Sequence, residues 1–110
     1  MITKARFTTL TLVAASLLFA ICPGGAEPAG DDRGKALFEQ HCAVCHPDGG
    51  NIINPQKPLD GATLAANGIK TAEEIVATLR MPGPGMITFG PEVISEDEAK
   101  EIAEYILKTY

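Results

Sequence analysis

Two cysteines and a histidine stand together at residues 42–46, in the order Cys42-Ala43-Val44-Cys45-His46. Thiols and imidazoles form thioethers and disulfides and hold metals, so chemistry is sought here first. A zinc site needs four ligands, commonly from a second cysteine or histidine pair. The other histidine of the chain, His41, lies directly beside Cys42 and supplies no such pair. A thioredoxin-like dithiol sits in an α/β domain, and the sequence contains no β-alternation of any length. The remaining chemistry uses the histidine as well. Two thiols separated by two residues, at the end of a helix, both reach one edge of a porphyrin and form thioethers with its two vinyl groups. The next residue is then placed to offer its imidazole to the iron, which is why Cys-x-x-Cys-His is the attachment signature of c-type haem. The spacing therefore predicts one covalent haem on Cys42 and Cys45, its iron held by His46. A Cys42–Cys45 disulfide is the alternative if haem is never attached.

Iron that only passes electrons needs a sixth ligand, and a thioether is the usual partner of histidine. Beyond Met1 the candidates are Met81 and Met86. Met86 lies in Pro-Gly-Pro-Gly-Met-Ile-Thr-Phe-Gly, a stretch with little helical tendency that is free to lay a sulfur on the open face of the ring. Met81 ends the preceding helical stretch, where methionine more often fills core space. Met86 is the expected metal ligand, with Met81 as the alternative and a sixth position held by neither as a third.

These residues must be positioned by a small chain. Lys4 and Arg6, an apolar run from Phe7 to Ile21 and the small residues Gly24, Gly25 and Ala26 read as a secretory signal peptide over residues 1–26, cleaved after Ala26. An uncleaved membrane anchor and a lipid anchor on Cys22 are the competing readings; large Ile21 before Cys22 argues against the lipid. Residues 27–110 then form one domain with Cys42 and Cys45 as its cysteines. Losing Lys4 and Arg6 leaves seven basic residues against fourteen acidic ones, a net charge of −7. That balance disfavours nucleic acid and anionic lipid surfaces and suits a partner with a basic face.

A domain of this size gains only marginal stability from a hydrophobic core. This one keeps just Phe38, Phe89, Tyr105 and Tyr110 as aromatics. A loop as tiny as one closed between Cys42 and Cys45 constrains the unfolded chain little. A large apolar cofactor at the centre would serve better. The elements agree: a first helix over 33–42 capped by Asp31 or Asp32, with Gly34, Leu37 and Phe38 on one face. Loop follows from Pro47 to Pro58, then a short helix over 59–66 ending at Asn67-Gly68. Thr71 with Glu74, and Ser95 with Glu98, form capping boxes that open the third and last helices. Ile75, Val76 and Leu79 face inward from one, and Ala99, Ile102, Ala103, Ile106 and Tyr110 line a stripe on the other. The fold class is all-α, three or four helices, with loops long enough to wrap a ligand.

With these pieces together, the chain resembles the class I c-type cytochromes, within them the cytochrome c6-like monohaem group. Gly34-Lys-Ala-Leu-Phe-Glu-Gln-His-Cys-Ala-Val-Cys-His46 is similar to that family's first helix and haem site. Residues Gly49, Gly50 and Asn51 through Pro55 and Lys57 are similar to its haem-edge loop, and Leu64–Ile69 to the stretch that follows. The resemblance implies a small cytochrome c fold in which Gly34 and Phe38 cross the last helix near Tyr105. It also implies His46 and Met86 as the axial ligands. Two residues depart from the family pattern: Ile87 stands where a proline usually follows the ligand methionine, and Met81 where asparagine is frequent.

The expected function is that of a periplasmic, non-enzymatic single-electron carrier, a monomer in transient contact with larger redox proteins and not inserted in the membrane once its signal is cleaved. Lumenal or membrane-tethered placement is the alternative location. The rival function is a haem-based sensor or small peroxidase-like enzyme with an open or labile sixth position. His41 is expected to be a bystander at the end of the first helix.

Overall fold

The computed structural model of the chain describes Gly24, Gly25 and residues 30–110. Apart from those two glycines, the expected signal peptide lies outside the described residues. Among the described residues there is no strand; the elements are α1 (Asp31–His41), a 3-10 turn at Pro47–Gly49, α2 (Gly61–Ala66), α3 (Ala72–Arg80) and α4 (Glu96–Thr109). The fold is all-α, as the sequence predicts.

α3 and α4 start where their capping boxes place them. The Thr71 hydroxyl accepts from the Glu74 N–H at 3.2 Å, and the Glu74 carboxylate accepts in return from the Thr71 N–H at 3.0 Å. Ser95 and Glu98 repeat the exchange at 3.3 and 2.9 Å. Each box satisfies donors that the helix itself leaves free. α3 ends at Met81 because Pro82 pushes the residue before it out of the helical region; Met81 has φ −137° and ψ 71°.

α1 departs from expectation. It begins at Asp31, two residues early, and its cap is Gly30 at φ 53°, with no side-chain hydrogen bond. Neither Asp31 nor Asp32 caps it; Asp31 instead pairs with Lys108 at the far end of the chain. α2 is shorter than expected, because the Asp60 carboxylate accepts from the Thr63 N–H at 3.0 Å and fixes the start at Gly61.

α1 and α3 both pack on α4. The α1–α4 crossing depends on Gly34: a Cβ there would stand 2.5 Å from the Glu101 carbonyl oxygen and 3.0 Å from Tyr105 Cβ. One turn on, the Phe38 ring lies 5.4 Å from the Tyr105 ring and 5.8 Å from that of Tyr110. Arg33 reaches over the crossing to Glu101 and Glu98, at 3.2 and 3.9 Å. Gly34, Phe38 and Tyr105 thus meet as the resemblance implied. Ala99, Ile102, Ala103 and Ile106 form the buried stripe of α4, and Ile75, Val76 and Leu79 face it from α3.

Candidate haem site

Cys42 is the cap of α1, its N–H donating to the Phe38 carbonyl at 2.8 Å. The chain then winds tightly. The N–H groups of Cys45 and His46 both donate to the Cys42 carbonyl, at 3.1 and 2.9 Å. This coil sets Cys42, Cys45 and His46 on the wall of one cavity of about 560 Å³. Cys42 is buried and Cys45 half-buried. Burial pushes the Cys42 thiol up to about 11, so as a free thiol it would be a reluctant thiolate and a poor redox nucleophile.

His46 is oriented from behind. Its Nδ1–H donates to the Gly50 carbonyl at 2.7 Å. A carbonyl only accepts, so the proton sits on Nδ1 and the Nε2 lone pair is left for a metal. The turn that brings Gly50 round runs through Asp48 at φ 50° and Gly49 at φ 75°. Tyr110 packs against Gly49 so closely that a Cβ would lie 2.5 Å from its Cδ1, which makes glycine obligatory there. Two further bonds close the attachment loop: the Ile52 N–H donates to the Cys45 carbonyl at 3.0 Å, and the Leu59 N–H to Gly49 at 2.6 Å.

Met86 shares this cavity wall and is half-buried against the core, whereas Met81 is 86% exposed and lies outside it. The helical stop at Pro82 accounts for the difference. It turns Met81 outward at the cap of α3, and the chain lines the cavity again only from Gly83 to Ile87, which brings Met86 to the wall. Met81 is thus not the core filler that its place after a helix suggests. His41 also differs from expectation. Its ring meets Phe89 edge-on at 6.3 Å and forms part of the wall. Its spacing from Leu37 and Phe38, four and three residues, is the signal in the sequence, since such neighbours share a helix face.

The donor set and surroundings fit a haem. Leu64, Ile75, Leu79, Phe89 and Ile106 make most of the wall apolar, as a porphyrin plane requires. Residues Asn51, Asn54, Lys57, Thr63 and Asn67 give it a polar stretch with an ammonium, suited to the two carboxylates that haem carries. The family model described as cytochrome c oxidase, cbb3-type, subunit III matches residues 29–106. Cytochrome c6 of Rippkaea orientalis is 33% identical over 92 residues, covering 83% of this chain and 82% of that one. The chain is a class I c-type cytochrome of the cytochrome c6-like group.

Chloroplastic cytochrome c6 of Arabidopsis thaliana is 40% identical over 86 residues, which is 67% of this chain and about half (49%) of that protein. Among solved structures, the outer membrane cytochrome OmcF of Geobacter sulfurreducens is 45% identical with a TM-score of 0.69, covering 70% of this chain and 98% of that one. A cytochrome of this group binds one covalent haem c and is a small electron carrier. No helix among the described residues is long and apolar enough to cross a membrane.

Proposed function

We propose that this cytochrome is a periplasmic single-electron shuttle whose haem would be bonded to Cys42 and Cys45 and whose iron would be held by His46 Nε2 and Met86 Sδ. The observation that carries the reading is the sharing of one cavity wall by Cys42, Cys45, His46 and Met86, with Met81 left in solvent. The haem supplies the one-electron couple. The protein's part is to keep the coordination the same in both states, so that little moves when an electron arrives or leaves. Gly50 does this for His46 by holding its ring and tautomer. The apolar wall excludes water and favours the less charged ferrous state.

Exchange with partners takes place at the mouth of the cavity beside Cys45, where Val44 and Ile53 are exposed. The contact is brief and made by a monomer, with partners that are larger redox proteins. The acidic surface favours partners with a basic face. The protein has no catalytic residues of its own and remains in solution after its signal is removed.

The test is the visible spectrum of the exported holoprotein, ferric and then reduced. The expected result is covalent haem with low-spin bands in both states and the long-wavelength ferric band of sulfur ligation. Met86→Ala should abolish that band and Met81→Ala should leave it. A high-spin ferric spectrum in the native chain, or ready carbon monoxide binding by the reduced protein, would overturn the closed carrier in favour of a sensor or peroxidase-like enzyme.

A further inference from the structure

The loop that carries Met86 is firm at its base and soft at its tip. At the base the Phe89 N–H donates to the Leu79 carbonyl at 2.9 Å. Arg80 donates to the Phe89 carbonyl at 2.9 Å and to Glu96 at 3.1 Å. The tip, residues 83–87, has among the described residues one backbone hydrogen bond of its own, from the Met86 N–H to Gly83 at 3.4 Å. That is long for such a bond. Ile87 is exposed and, unlike a proline, does not lock its φ.

Another segment touches this tip at Gly85. Gly85 has φ +89°, and a Cβ placed on it would stand 2.9 Å from Cγ2 of Ile53. Ile53 belongs to a loop that is held many times over. The Asn51 side-chain oxygen accepts from the N–H groups of Ile53 and Asn54 at 3.1 and 2.9 Å, and its amide donates to the Lys57 carbonyl at 3.1 Å. A rigid arm therefore rests on a loose tip, one residue before Met86. Ile53, Gly85 and Met86 all line the same cavity. Ile53 is 62% exposed, so core packing does not explain its place.

We propose that Ile53 is a positioning residue for Met86: by resting on Gly85 it keeps the sulfur-bearing tip closed on the cavity. The inference rests on Met86 being the sixth ligand. Trimming the side chain removes the latch, so the tip spends more time open, and an added ligand binds the iron in proportion to the open fraction.

The experiment is a spectral titration of the ferric holoprotein with imidazole. Ile53→Ala should bind imidazole roughly fourfold more tightly, the effect expected for losing about one methylene's worth of contact. Its thermal midpoint should stay near that of the native protein, because the residue is largely exposed. Ile53→Val, which keeps the γ carbons, should behave like the native chain. Adding Ile87→Pro to Ile53→Ala should reverse the gain, since proline stiffens the tip without needing the latch. Equal imidazole affinity in Ile53→Ala and the native protein would overturn the proposal. So would a gain that Ile87→Pro leaves untouched, because the cause would then be exposure of the ring edge. The sulfur band of Met86→Ala separates the two levels. If the band survives in Met86→Ala, the ligand reading has failed; if it is lost there while Ile53→Ala changes nothing, only the latch has failed.

Discussion

Replacing Gly34 by alanine tests the helix crossing on which the fold depends. In an isolated helix the change is favourable by about 1 kcal/mol, because alanine loses less backbone entropy than glycine. Here the new methyl would meet the Glu101 carbonyl oxygen at 2.5 Å and Tyr105 Cβ at 3.0 Å. The first of these is backbone and cannot swing aside. α1 and α4 must separate, loosening the Phe38–Tyr105 contact one turn away. Overpacking of this kind costs about 1–3 kcal/mol, and loosening the contact of buried Phe38 with half-buried Tyr105 places the net loss near 2 kcal/mol after the helical gain. In a domain of this size that is a fall of about 10 °C in Tm. Gly61, at the start of α2, has nothing within 4 Å of where a methyl would stand, so Gly61→Ala is the control and should be neutral or slightly stabilising. Urea unfolding of both holoproteins, followed by circular dichroism, gives the comparison. If Gly34→Ala is as stable as the native protein while its slope m is unchanged, the close crossing does not carry the weight assigned to it.

Two further outcomes follow from the same contacts. The Ser95 N–H, the Ser95 hydroxyl and the charge of Arg33 hold the Glu98 carboxyl below the usual carboxylate range. Its folded pKa is depressed, so its contribution to stability is present above the unfolded pKa of about 4.3 and is lost as pH falls below it. Glu98→Gln should therefore lower stability at neutral pH and flatten its decline in acid, as measured by Tm between pH 7 and pH 3. Ile102 is wholly buried at 0% exposure in the α4 stripe, and Ile102→Ala should lower the unfolding free energy by about 2–5 kcal/mol in denaturant titrations.

What the sequence reveals is what a few neighbouring residues decide between themselves. The capping boxes at Thr71 and Ser95 are three-residue exchanges, and the helices they open begin where the sequence places them. The coil of Cys42 to His46 is equally local. The start of α1 is not legible in this way: its cap is Gly30 at φ 53° with no side-chain bond, and Asp31 meets Lys108, 77 residues away, in an exposed pair that no spacing rule announces. The start of α2 differs for the opposite reason: one carboxylate bond from Asp60 to Thr63 outweighs the helical tendency of the residues before it. The latch between Ile53 and Gly85 joins two irregular segments, and nothing periodic in either marks the meeting.

The core and the site are built from the same side chains, and this explains how so small a chain can be stable. Leu64, Ile75, Leu79, Phe89 and Ile106 belong to the buried cluster and also face the cavity. They pack on one another on one side and await a porphyrin on the other. Without haem, these five apolar side chains would face water across a cavity of about 560 Å³ that opens to solvent, and the burial lost is large for so small a core. The haem completes the core, and its covalent attachment keeps it there. The exported chain carrying Cys42→Ser and Cys45→Ser, purified without haem, should accordingly show no cooperative thermal transition and should bind a hydrophobic dye. A sharp transition in that haem-free chain would show that α1, α3 and α4 hold together by their mutual contacts alone, and that the cavity is a pocket in a finished core.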